Sequence, residues 1–99
     1  MPNLYKYFGL VIFFYSDEHN PVHVHAEYDG KTVKVEFFID NGVITRTKYT
    51  ELTPGFPPAK LKELKTLVGE MKYNIVRAWT DYFIYHIEPK CITITRKIK

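Results

Sequence analysis

The spacing of apolar residues changes once along the chain, from a period of two before residue 53 to a period between three and four after residue 58. Within the first half, Leu10-Val11-Ile12-Phe13-Phe14-Tyr15 is an unbroken apolar and aromatic run, the pattern of a central strand covered on both faces. Asp17-Glu18-His19-Asn20-Pro21 breaks it with turn formers. Val22 to Tyr28 alternates and ends at Asp29-Gly30, a strong hairpin signal. From Lys31 to Ile39, Val33, Val35 and Phe37 fall on one face and Thr32, Lys34 and Glu36 on the other. Asp40-Asn41-Gly42 turns the chain again, and Val43 to Tyr49 returns as a fourth strand.

Thr53-Pro54-Gly55-Phe56-Pro57-Pro58 ends the sheet, and Pro57 or Pro58 suits the first turn of a helix, where no N–H is needed. Beyond it Leu61, Leu64, Val68, Met71, Ile75, Ala78 and Tyr82 step by three and four, with Leu67, Trp79 and Phe83 widening the stripe. One helix over about 58–83 is roughly 39 Å long at 1.5 Å per residue. It must either overhang the sheet or bend near Gly69. The regular stripe is expected to pack on the chain's own sheet, with a helix-mediated homodimer as the alternative. After Phe83, Ile92 and Ile94 alternate with Thr93 and Thr95, and Glu88-Pro89-Lys90 can turn a short hairpin with Tyr85-His86-Ile87. The expected fold class is α+β. It comprises an antiparallel meander of about four strands, one long helix packed on it, and a C-terminal strand or short hairpin. Residues 1–99 are read as one domain.

Composition narrows the function classes. Sixteen aromatics in 99 residues favour sheet. The single Cys91 excludes an intrachain disulfide and is expected as a buried, inert thiol at a strand start. No apolar run approaches the ~18 residues of a membrane span, and no signal-peptide pattern opens the chain, so a cytoplasmic protein without a membrane partner is expected. The net charge of +3 is uneven: residues 1–59 hold five Lys/Arg and seven Asp/Glu, residues 60–99 nine and four. Lys60, Lys62, Lys65, Lys72, Arg77, Arg96, Lys97 and Lys99 are therefore candidates for contact with a phosphate backbone or an acidic partner. A solvated helix face is the plainer reading. No phosphate loop or nucleophile elbow is present.

His19, His23 and His25 carry the most pointed chemistry. On a strand His23, His25 and Glu27 share one face, and His19 in the preceding turn can fold back over it. Three imidazoles and a carboxylate suit a divalent transition metal such as zinc, nickel or ferrous iron. Without metal the same histidines could act as an acid–base pair, since imidazole titrates near neutrality. An alternating strand also produces His-x-His for no chemical reason, so a purely structural polar face competes with both. No other cofactor is indicated.

The run from Phe13 to His25 resembles the signature of a small bacterial family of unknown function, which carries Phe-Tyr-Ser-x-Asp/Glu-His-x-Pro-Pro-His-Val/Ile-His. Asn74 to Phe83 is similar to that family's closing helix, Ala-Trp-x-x-Tyr-Phe. The resemblance covers about residues 10–83. Val22 replaces a usual Pro, the segment 40–58 is longer than usual, and the extension 84–99 lies outside it. It implies a regulatory or interaction module of the toxin–antitoxin-like kind, meeting a small protein partner or a second copy of itself. Two alternatives stand beside it: a metal- or histidine-dependent ribonuclease using His19, His23 and His25, and non-catalytic nucleic-acid binding.

Overall fold

Tight turns with both central residues in the left-handed region build the meander. In the computed structural model, which describes residues 3–14 and 22–98, Phe8-Gly9, Asp29-Gly30 and Asn41-Gly42 all have positive φ. Such turns match the right-handed twist of the strands that they join. They connect β1 (Asn3–Tyr7) to β2 (Leu10–Phe13), β3 (Val22–Tyr28) to β4 (Lys31–Asp40), and β4 to β5 (Val43–Glu51). The helix α1 (Pro58–Phe83) and a short β6 (Ile92–Ile94) complete the chain. The strand order is β5-β4-β3-β2-β1-β6, antiparallel throughout except that β6 runs parallel to β1.

The sheet thus has more strands than the pattern predicts. The four expected strands are present, and β1 adds a fifth to the meander. The run from Leu10 ends as strand at Phe13, and Tyr15 lies outside the described residues. The proposed Tyr85-His86-Ile87 hairpin does not form: residues 84–91 contain no strand, and Ile92–Ile94 instead pair with Tyr5–Tyr7 at the sheet's far edge. Cys91, expected to be buried, is exposed just before that strand.

Pro58 takes the first helical position, where its missing N–H costs nothing. The helix runs unbroken through Gly69. Its first turns lie against the Phe8 carbonyl and Tyr49, Tyr73 Oη accepts the Ile44 N–H further along, and Tyr82 in the last turn stacks on Phe14. At about 39 Å the helix covers one face of the sheet, and it is the one helix among the described residues. Leu64, Leu67, Val68, Ile75 and Trp79 are buried on it, with Leu61, Met71, Ala78, Tyr82 and Phe83 packed at the margin. They meet Tyr7, Leu10, Ile12, Phe14, Val24, Ala26, Val33, Val35 and Phe37, the alternate positions of four strands. The apolar stripe is used within the chain.

A polar corner ties the first hairpin to the helix start and the tail. Lys60 Nζ donates to the Phe8 carbonyl at 2.8 Å and lies 4.9 Å from the Tyr28 ring centre. Lys97 pairs with Glu63 at 2.7 Å and lies over the Phe8 ring at 4.3 Å. Chiefly through that Lys97 bond, the Glu63 carboxyl is held below its usual pKa. The Ile98 N–H donates to Tyr7 Oη at 2.9 Å. These contacts hold Phe8 at φ 46°, unusual for a bulky side chain.

Two glycines should respond oppositely to alanine. At Gly9 φ is +90° and an added Cβ would lie 2.8 Å from the Tyr28 ring, so Gly9→Ala should lose roughly 2 kcal/mol. Gly69 is helical, exposed and has open space around it, so Gly69→Ala should gain roughly 0.5–1 kcal/mol. Urea unfolding midpoints of the two variants check both signs.

Candidate functional site

Because α1 covers one face, period-two alternation sends the polar half of every strand to the other. On β3 that half is His23, His25 and Glu27, as the strand pattern requires. Phe13 of β2 and Lys34 of β4 stand directly across from His25, and Glu36 across from His23. His25 is 4% exposed although α1 lies over the other face. Its ring stacks on Phe13, also buried, with centroids 5.7 Å apart and planes 24° apart. His23 is half-buried and meets His25 edge-on at 5.5 Å. Glu27, beyond them, is exposed.

Burial, then the nearby His23 and Lys34, push the His25 pKa from 6.5 down to about 4, so the ring is neutral at pH 7. A neutral imidazole packed between rings can accept or donate a hydrogen bond or ligate a metal, and it is a weak base. Among the described residues no three His, Cys, Asp or Glu side chains converge to hold a metal ion. His23, His25 and Glu27 are set out along the strand at steps of about 6.6 Å. His19 lies outside the described residues, as does Lys99.

The candidate basic residues are brought together only in part. Lys60 and Lys97 meet at Glu63. Lys65 and Lys72 each lie over a tyrosine, Tyr49 at 5.3 Å and Tyr73 at 5.6 Å. Lys62, Arg77 and Arg96 are exposed.

Two concavities escaped the sequence reading. A cavity of about 330 Å³ between β5 and the helix start is lined by Tyr49, Glu51, Phe56, Leu61 and Lys65. Burial pushes the Tyr49 phenol up to about 12. A second, also about 330 Å³, lies at the helix end between Tyr82, Phe83, His86 and Glu88. The aromatic pair at the end of the periodic stripe was the visible signal for it. The loop that closes it has no pattern to read.

The chain belongs to a family defined only as a sequence domain, without an assigned activity. It is the family described as Domain of unknown function (DUF4160), whose model matches residues 9–80. That span takes in β2 to β5 and most of α1, and leaves β1 and β6 outside. No curated protein and no solved structure matches the chain. No helix in the described residues is long and apolar enough to cross a membrane.

The buried histidine gives a pH test with a defined sign. The unfolded chain protonates this residue near 6.5 and the folded chain only near 4. Stability is therefore full above 6.5 and falls as pH drops through that window, by up to about 3 kcal/mol. Urea denaturation at pH 7 and at pH 4 should show this loss, and His25→Phe, which keeps a ring beside Phe13, should remove most of it.

Proposed function

We propose that this chain is a small regulatory module of the toxin–antitoxin-like kind that works through protein–protein contact, with the outer edge of β5 as the surface that receives the partner. The observation that supports it is the length of that edge. β5 spans nine residues at the end of the sheet, and among the described residues no strand pairs with its outer side. The Ile44 N–H near its start donates to Tyr73 Oη at 3.3 Å; along the rest, a long open edge offers backbone donors and acceptors that an added extended strand satisfies.

The side chains narrow the occupant. Arg46 and Lys48 are exposed on the polar face of β5, and Arg46 lies over the Phe38 ring at 5.4 Å. Antiparallel self-pairing centred on Thr47 would set Arg46 of one copy opposite Lys48 of the other, an unfavourable like-charge pair. An acidic extended strand from a different protein meets the same edge with opposite charge, so a heterologous complex is favoured over a homodimer.

Co-expression with the protein of the adjacent reading frame, the context implied by the family resemblance, should give a complex that survives gel filtration. Hydrogen exchange of the β5 amides should slow in it, and Arg46→Glu/Lys48→Glu should weaken it about tenfold. A chain that stays monomeric in that mixture, with β5 exchanging at its free rate, would overturn the proposal.

A second reading has its own observation. The neutral His25 and half-buried His23, 5.5 Å apart with Lys34 across the strand, form an imidazole pair beside a cation, a set that suits histidine-dependent RNA hydrolysis. A metal-dependent form would add His19 as a ligand. Metal analysis of untagged protein decides it. Substoichiometric metal, with RNA cleavage unchanged in His23→Ala, excludes this reading.

A further inference from the structure

The end of α1 is electrostatically unfinished. A helix C-terminus carries a partial negative charge on its last carbonyls, and basic residues in the final turn normally answer it. Here the last turn has no basic residue and includes Asp81. The Thr80 carbonyl receives the Ile84 and Tyr85 N–H groups, and the Asp81 carbonyl receives Ile87 N–H at 2.9 Å. Among the described residues the Tyr82 and Phe83 carbonyls take no backbone N–H beyond the helix.

The cavity of about 330 Å³ lies at this same end, and its walls are aromatic. Tyr82 and Phe83 stand nearly perpendicular, at 84°, with centroids 4.7 Å apart, so they form a corner. The corner is fixed from behind. Phe14 stacks on Tyr82 at 5.7 Å and meets Phe83 at 5.5 Å, while Trp79 supports Phe83 at 5.0 Å. His86 and Glu88 close the other side. His86 holds φ at 57°, the left-handed region that non-glycine residues seldom adopt, and this bend folds the loop back along the pocket. Ring faces, a carboxylate and a helix C-terminus all favour positive charge, and a corner of rings suits a weakly hydrated organic cation better than a metal ion.

We propose that this pocket binds a guanidinium group, presented by an arginine side chain of a protein partner. The assignment rests on reading the chain as a partner-binding module and adds a second anchoring point, at the opposite end of α1 from the Pro58 end. Exposed Ile84, Tyr85 and Ile87 flank the pocket loop and supply apolar surface for the residues around such a side chain.

Titration of the isolated chain with acetyl-Gly-Arg-Gly-amide, followed by the aromatic NMR signals of Tyr82 and Phe83 and the fluorescence of Trp79, tests it. The arginine peptide should shift these signals saturably, and the same peptide with norleucine for arginine should not. Glu88→Gln, an exposed substitution, should weaken binding up to about fivefold. Tyr82→Leu should weaken it further, with circular dichroism reporting whether that variant folds. Equal binding of the norleucine peptide, no saturable shift, or unchanged affinity in Glu88→Gln would each overturn the assignment. Methylguanidinium binding as tightly as the peptide would overturn the partner side chain as the source while upholding the cation site. Because no β5 partner is present, failure here leaves the β5 edge reading untouched, and failure of that complex leaves this measurement intact.

Discussion

Among the described residues one helix covers one face of this sheet, and that constraint orders most of the molecule. Each strand offers alternate side chains to two sides, and a single helix can dehydrate one of them. The residues facing α1 are accordingly Leu10, Ile12, Val24, Ala26, Val33, Val35 and Phe37, with tyrosine and phenylalanine toward the β1 side. The 26 residues of α1 reach from the Phe8 turn and Tyr49 at its start to Phe14 at its end. Charge and side-chain hydrogen bonding are displaced to what remains: the opposite face, the β5 edge and the two helix ends.

At those places the protein departs from simple amphipathic packing. His25 and Phe13 are buried on the face opposite α1, which removes a titratable ring from solvent and sets it against His23. The corner of Phe8, Lys60, Glu63 and Lys97 joins three segments distant in sequence through charged side chains that remain partly solvated. Such pairs add little net stability, so their contribution is chiefly positional: they set where the first hairpin and the tail lie against the helix start.

The strands with plain alternation and Asp-Gly or Asn-Gly turns could be read from the sequence, and so could the helix from its regular stripe. β1 could not. Its turn is Phe8-Gly9, and phenylalanine is not a turn former; it is tolerated at φ 46° because Tyr7 and Lys97 pack on its ring. β6 was legible as strand but not in its pairing, since Ile92 and Ile94 carry no mark of a partner some 87 residues earlier, Tyr5 and Tyr7. At the histidines, period two put His23, His25 and Glu27 on one face of β3, spaced along the strand. Alternation says which side a residue faces and nothing about how deeply it is buried, so the neutral state of His25 was invisible. The pocket at the helix end depends on the course of residues 84–88, which no periodicity encodes.

The single parallel pairing, β1 with β6, has a kinetic meaning. The hairpins of β3, β4 and β5 close loops of two residues, so they need little search and form early. The pairing of β6 with β1 joins Tyr5 to Ile92 and closes the longest loop of any strand pair among the described residues. Loop-closure entropy therefore places this pairing last. Until then β1 is an open edge in a molecule whose core is otherwise assembled. The short strand acts as a latch that marks the completion of folding, on segments that fall outside the span shared with the family.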